Sequence, residues 1–422
     1  MNLLRTALSF LFSVTTLLTL VTFTLSGQDQ TWRAGAAQSS ITPKKSCYLA
    51  GYGGAGMSVG VHDSLYAKAV VISDGRQTAA VLTLDCIGLL YPDIKKIQQR
   101  VKVQLNDPAF PVEHIIVSST HTHLGPDVVG LWGKNRFSSG VQKDYMDFLI
   151  QKAAETVIRA WKKRNEVSIR YGTGSHGEGW VQNISLPEEI DRSVTTLQLI
   201  DASNQSVATL TNFACHPTLI GPERKLISAD YVAGLYQHLD TTLGGVNLFL
   251  QGAIGGWVQP VGEDSFENAG KRGNALAEEV LKIMASGQNA SAGELIFKRR
   301  VFDMPVASKG FRLLSRLGVL DRKIRKTVTT EIAWLRIGNI SMVTHPGETS
   351  PAYSLQTKKL LAGDGPVMVL GLAQDALGYL LKPEFFDQDK KIPHADYLTM
   401  VSVGKNGGEV LMKNITELVS NR

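Results

Sequence analysis

The chain lacks most of the features that would frame it by covalent or low-complexity means. It has three cysteines in 422 residues, Cys47, Cys86 and Cys215, each in apolar surroundings. At most one pair can form, so a disulfide-framed scaffold is excluded. No Cys-x-x-Cys pair is present, which removes a zinc ribbon, and the three read as buried thiols. No Lys/Arg block of the kind that tracks phosphates appears, and the net charge of +6 reads as a mild surface excess rather than a nucleic-acid footprint. No Pro/Ser-rich linker, internal repeat or low-complexity stretch divides the chain. What is there is an ordinary globular composition, 43% hydrophobic and 19% charged, enough for a sizeable core.

The N-terminus departs from that composition. Arg5 precedes an apolar run over 7–25, followed by Ser26, Gly27 and the polar 28–30. A basic residue, an apolar stretch and small residues before a polar segment predict a secretory signal over residues 1–27. The run also has the length of a membrane anchor, which needs about 20 apolar residues; its threonines and serines favour cleavage. An exported protein follows, periplasmic or extracellular, with one functional domain over 28–422.

Downstream, strand-like and helix-like segments alternate. Residues 67–73 and 78–84 predict a hairpin around Asp74-Gly75-Arg76. Residues 91–103, 145–162, 231–239 and 266–284 carry helical spacing, whereas 114–119, 167–171, 194–200, 208–214, 246–250 and 329–343 read as strands. Hairpins mixed with helices predict one large α/β domain of mixed β-sheets flanked by helices, not a strict Rossmann or barrel repeat. Residues 311–326 place Phe311, Leu314, Leu317, Leu320 and Ile324 at helical spacing among Arg312, Arg316, Arg322, Lys323 and Arg325, a pattern that either lies on a membrane surface or covers the core under snorkelling arginines.

Two motifs are discounted. Gly51-Tyr52-Gly53-Gly54-Ala55-Gly56 matches a dinucleotide fingerprint, and the segment around Ser58 matches a nucleophile elbow. Both require a strand-to-helix turn, while here the chain runs on toward a strand at Ala67. A glycine-rich loop is the better reading, with a Ser58 hydrolase kept as a rival.

A different constellation carries the chemistry. Thr120-His121-Thr122-His123-Leu124-Gly125-Pro126-Asp127 follows a buried strand directly, and in an extended chain His121 and His123 share a face. Asn212-Phe213-Ala214-Cys215-His216-Pro217 and Thr344-His345-Pro346-Gly347-Glu348 repeat the arrangement: an apolar strand ending in His or Glu at a break. Three such ends converge on one pocket above a sheet, and His and Glu are zinc ligands.

The strings Ser-Ser-Thr-His-Thr-His-Leu-Gly-Pro-Asp, Phe-Ala-Cys-His-Pro-Thr, Ile-Ser-Ala-Asp-Tyr and His-Pro-Gly-Glu, in that order from about Ala34 onward, resemble the neutral/alkaline non-lysosomal ceramidase family. The resemblance implies a zinc amidase domain of mixed α/β build. It implies that His121, His216 and Glu348 hold Zn²⁺, with Tyr379 in Leu377-Gly378-Tyr379-Leu380 as fourth ligand. His123 would then be an acid/base or a second ligand, His345 a further proton carrier, and Asp230 a residue that orients a ligand histidine. The partner implied is a small-molecule or lipid N-acyl substrate; the pattern of 311–326, not the resemblance, makes that segment a candidate peripheral membrane contact, and the charge pattern points to no nucleic acid.

The chain departs from the family's pattern where an Asn-Ala-Gly-Asp-Val-Ser-Pro-like stretch is expected. Here Gln251 to Pro260 puts Gln259 at or near the serine and loses the aspartate around Gly256. Asn183-Ile184-Ser185 lacks an arginine, and Ser39 or Ser40 stands for an early aspartate. Substrate handling is thus altered while the metal ligands are intact. The reading is an exported amide hydrolase with altered substrate, with a catalytically inactive binding relative as alternative. The Gly252–Gly256 loop is expected to offer backbone N–H groups to an oxyanion.

Overall fold

Alternation along the strands sorts the apolar residues onto two faces of one twisted sheet. In the computed structural model, which describes residues 31–420 apart from 55, 291, 292 and 364, that sheet uses β1 (Trp32–Ser40), β2 (Tyr66–Ser73), β3 (Thr78–Leu84), β4 (Ile115–Ser119), β5 (Asn165–Ser175), β6 (Ser193–Asp201), β7 (Ser206–Phe213) and β8 (Val246–Gln251). Their order is β8-β7-β6-β5-β1-β2-β3-β4. Only the outer pairs, β8 with β7 and β3 with β4, run parallel; the inner pairs are antiparallel. The predicted signal segment lies outside the described residues.

A second sheet is built from β9 (Leu295–Pro305), β10 (Thr327–Ile337), β11 (Ile340–Thr344) and, after the two-residue β12 (Glu348–Thr349), β13 (Val367–Leu370). It packs on one face of the first: Ala34, Ile72, Leu199 and Leu250 share a core with Phe297, Leu335 and Met342. The other face of the large sheet buries α1 (Tyr91–Leu105), α2 (Lys143–Lys162), α3 (Tyr231–Thr242) and α4 (Phe266–Ala285). The outer face of the small sheet is covered by α6 (Pro351–Leu360) and α8 (Gly407–Val419), introduced after the short α5 (Lys309–Arg316) and α7 (Ala395–Met400). The predicted mixed α/β domain is therefore a helix–sheet–sheet–helix stack.

The two sheets are stitched where their parallel strands end. Gly371 N–H donates to Gln251 O (2.9 Å) and Gln374 N–H to Val117 O (2.8 Å). The ends of β4, β7, β8, β11 and β13 thus open on one side, the position where open parallel strands leave room for a ligand.

The predicted amphipathic run 311–326 is not one helix. α5 stops at Arg316, Gly318 takes φ +72°, and the chain turns back so that Phe311, Leu320 and Ile324 face inward. The return is pinned by Arg322, whose guanidinium donates in bidentate fashion to Asp375 (2.6 and 2.8 Å). Asp375 also accepts from Tyr91 N–H and Thr330 Oγ1. Both partners are buried, so removing one strands a desolvated charge. Asp375→Ala is expected to lower unfolding free energy by about 3–5 kcal/mol, read from denaturant midpoints; a change within error would show that Arg322 finds another partner.

Candidate metal centre

His121 stands two residues beyond β4 and adopts φ +69°, a left-handed conformation rare outside glycine. Its N–H is held by Cys86 O (2.9 Å), and its ring Nδ1–H donates to Ile87 O. His216, after β7, is held the same way: its N–H donates to Val258 O (2.9 Å) and its Nδ1–H to the same carbonyl (2.8 Å). A carbonyl only accepts, so each bond fixes the tautomer that leaves Nε2 as a lone pair. Both Nε2 atoms face one carboxylate oxygen, Glu348 Oε2, at 3.5 Å from His121 and 3.1 Å from His216.

Three acceptors converging in a buried space repel one another unless a cation lies among them. Burial opposes ionisation of Glu348, and it takes positive charge at His121 and His216 to outweigh burial and hold the carboxyl well below its usual range; with Nε2 lone pairs facing it, that charge must come from a cation. Burial, and then the His121 and His216 rings, push the His123 ring well below the ordinary histidine value; burial, opposed by the Glu348 contact and aided by His121, lowers that of His216. Ring nitrogens of His121, His123 and His216 all lie within 4.8 Å of one another. The donor set fits a divalent ion of the zinc type, which takes N and O ligands.

Tyr379 is brought in by register. β12 pairs in parallel with the two-residue β14 (Tyr379–Leu380), setting Glu348 opposite Tyr379. Burial and the Glu348 charge keep the phenol protonated, with its pKa pushed well up. It accepts from Trp257 Nε1–H (2.9 Å) and reaches Glu348. Trp257 itself takes φ +60°, backbone strain of the sort that clusters at functional sites.

His123 differs from its neighbours. Among the described residues neither of its buried ring nitrogens has a hydrogen-bond partner, and Tyr52 meets its ring edge-on at 4.9 Å. Gly51, at φ +92°, lies so close that a Cβ there would sit 2.2 Å from His123 Cγ. Gly51 and Tyr52, at the start of the glycine-rich run, therefore cradle this ring.

Three expectations are corrected. His345 does not join the site: its Nδ1 and Nε2 are taken by Thr349 Oγ1 (2.9 Å) and Thr357 Oγ1 (3.1 Å), and burial lowers its pKa to about 3. It extends the β11–β13 pairing through its N–H to Leu370 O (2.7 Å) and is a neutral core group against α6. His345→Ala is expected to cost about 1–3 kcal/mol of stability and to leave metal content as in the wild type, measured by elemental analysis.

Asp230 orients no histidine. It caps α3 at φ +58°, accepting from Tyr231 N–H (2.6 Å) and Ile220 N–H (2.9 Å), while burial, opposed by these N–H groups, raises its pKa to about 7. Since Ile220 O in turn accepts from Tyr52 Oη, Asp230 sets the loop that carries the wall beside His123. In the Gly252–Gly256 loop two of the N–H groups expected to face an oxyanion are already spent: Gly252 N–H on Phe213 O (2.9 Å) and Gly255 N–H on Thr349 O (2.8 Å). Ser58, buried and bonded to Cys47 N–H, lies outside the cavity, which removes the Ser58 hydrolase.

One positioning residue escapes sequence reasoning. Gln251, fully buried at the end of β8, donates from Nε2 to Thr120 O (3.0 Å) and Cys215 O (2.9 Å) and accepts from Cys215 N–H (3.2 Å). It clamps the residues that precede His121 and His216. A glutamine closing an apolar run over 246–250 is the signal that marks it.

The centre lies in the wall of a largely apolar cavity of about 540 Å³. Leu90, Val129, Leu131, Val306, Phe311 and Leu320 are among its apolar lining; Gln259, Trp257 and Asp264 are among its polar residues.

A histidine–carboxylate cluster at the open ends of parallel strands, facing a largely apolar cavity, defines an α/β domain with a candidate metal centre. The family profile described as neutral/alkaline non-lysosomal ceramidase, N-terminal, matches residues 32–242. The chain belongs to that family. Neutral ceramidase B of Dictyostelium discoideum is 24% identical over 225 residues, 49% of this chain and 31% of that protein, so the match spans about a third of the curated relative's length. The crystal structure of neutral ceramidase from Pseudomonas aeruginosa superposes with a TM-score of 0.77 at 17% identity, covering 93% of this chain and 74% of that one. A ceramidase complexed with C2 gives 0.75 at 16% identity, covering 92% and 75%. These likenesses establish the fold as that of neutral ceramidases. Among the described residues no helix is long and apolar enough to cross a membrane.

Proposed function

We propose that the chain is an exported zinc-dependent hydrolase of amide (N-acyl) bonds, acting on a lipid or small-molecule N-acyl substrate. The observation that carries the reading is the convergence of two tautomer-fixed Nε2 lone pairs on one Glu348 oxygen. His121, His216 and Glu348 would hold the ion, with the Tyr379 phenol oxygen as the fourth ligand beside Glu348. When bound, a divalent ion polarises an acyl carbonyl and lowers the pKa of a water at its open position.

The chain's own residues do the rest. Ile87 O and Val258 O orient the two ligand rings, as partners of metal-bound histidines commonly do. His123 has no such partner, which separates it from the ligands and leaves it to carry a proton between the attacking oxygen and the departing nitrogen. Burial keeps its ring neutral, and among the described residues neither ring nitrogen is tied up by another side chain or carbonyl, so its lone pair is open to a proton. The apolar cavity wall takes the acyl chain and excludes water, which strengthens every electrostatic contact at the centre. Gln259 and Trp257 occupy the wall where the family carries its serine-containing stretch, so the substrate class is set here as N-acyl amide rather than ceramide in particular.

The test is hydrolysis of a panel of N-acyl amides in detergent micelles. Turnover lost with a chelator and restored by zinc is expected. No chelator-sensitive hydrolysis of any member would leave the domain as a binding relative that has lost its chemistry.

A further inference from the structure

The chain's excess positive charge is not spread over its surface. Between residues 309 and 326 stand seven basic residues, Lys309, Arg312, Arg316, Arg322, Lys323, Arg325 and Lys326, against one acid, Asp321. Seven minus one is +6, equal to the net charge of the whole chain, so the remaining residues balance to zero. Arg322 is neutralised by Asp375. Asp321 lies within the field of Lys96 on α1. Among the described residues, none of the other six basic side chains has a carboxylate partner within ion-pair distance, though acids are available elsewhere on the surface and pair there.

The same segment exposes apolar groups. Leu313 and Leu317 are 47% and 53% exposed, one helical turn apart. Met400, whose carbonyl accepts from Ser308 Oγ beside the start of α5, is 61% exposed. The inner side of the segment, Phe311, Leu320 and Ile324, lines the cavity that holds the candidate metal centre, and Ile324 also lines the groove between the basic residues. Tyr397, 45% exposed, belongs to the cavity wall as well. One strap thus has a cationic, leucine-bearing outer face and an apolar inner face opening on the site.

We propose that the outer face of residues 309–326 docks on an anionic lipid bilayer and sets the cavity opening against the membrane surface. Cations flanking exposed leucines match an interface in which headgroups neutralise charge and the leucines enter the acyl boundary. Exposed leucines among the cations favour a lipid surface over a phosphate backbone, which offers them no apolar medium. Docking is independent of the chemistry proposed above, but together they mean that an N-acyl lipid passes from bilayer to centre along the inner face of the strap.

Vesicle co-sedimentation of the full chain tests this. The probes are phosphatidylcholine vesicles with and without about one third phosphatidylserine, at 0.1 M and 1 M salt, the change that shortens the Debye length from about 10 to about 3 Å. Binding to anionic vesicles that fades at high salt is expected. Each basic residue near such a surface contributes about fivefold to partitioning, so the triple variant Lys309→Glu, Arg316→Glu, Arg325→Glu should bind at least about a hundredfold more weakly. Variant and wild type share the same N-terminal segment, so its contribution cancels. None of the three residues lines the cavity, so hydrolysis of a monomeric short-chain amide should be unchanged in the variant. Equal binding of wild type to neutral and anionic vesicles, or equal binding of wild type and variant, overturns the proposal; capture of an acidic protein without vesicle binding does so too. Absence of hydrolysis by either protein would count against the chemistry alone, because binding is read separately.

Discussion

His216→Ala is expected to abolish metal binding and lower amide hydrolysis on the order of 10³-fold or more. The ring is fixed twice, through its backbone N–H and its Nδ1–H to Val258 O, so its Nε2 is spent on the centre and no neighbour on that strand end can replace it. Glu348 would retain only His121, at 3.5 Å, against the burial that opposes its charge. A bound ion supplies several kcal/mol of transition-state stabilisation, and about 1.4 kcal/mol is a factor of ten in rate, which sets the scale. Elemental analysis and turnover are measured on the same preparation. Wild-type metal content in the variant would remove His216 from the ligand set.

Gly51→Ala should separate proton handling from metal binding. The new Cβ would fall 2.2 Å from His123 Cγ and 2.4 Å from its Nδ1, at a backbone φ of +92° that disfavours alanine. His123 must leave its position or the loop must shift. If His123 carries the proton and is not a ligand, turnover falls by about 10²- to 10⁴-fold while metal content holds. Gly53→Ala is the control on the same loop: a Cβ there meets nothing within 4 Å, and both quantities should match the wild type. Loss of metal in Gly51→Ala would put His123 among the ligands.

Much of this centre was legible because its ligands stand at the broken ends of apolar strands. Thr120 to His123 and Cys215-His216 announce themselves by a histidine where hydrophobic alternation stops, and the structure brings both rings to Glu348. The same logic misassigned His345. Within Thr344-His345-Pro346-Gly347-Glu348 the residue just past β11, His345, points into the core, while the residue past the Pro-Gly turn, Glu348, begins a new strand beside Tyr379. Which side of that turn faces the pocket depends on pairing with residues some thirty positions downstream, which local pattern does not encode.

Asp230 failed for a related reason: its position before α3 marks a helix cap as readily as a ligand's partner. At the level of fold, helices with long apolar stripes, such as 145–162 and 266–284, were read to within two residues of Lys143–Lys162 and Phe266–Ala285. β9 was missed because Lys298, Arg299 and Arg300 interrupt its apolar side. The basic run 311–326 kept helical spacing across a turn at Gly318 because the cavity, not a helix stripe, selects its inward residues.

The account rests on a cation lying where His121, His216 and Glu348 converge. Crystals of the protein as purified, with diffraction recorded on both sides of the zinc absorption edge, test this most directly. The account predicts one anomalous peak about 2.0–2.1 Å from Nε2 of both histidines and about 2.0–2.2 Å from a Glu348 oxygen. A peak elsewhere, or electron density showing a proton-bridged His216–Glu348 pair with no ion after zinc has been supplied, would contradict it.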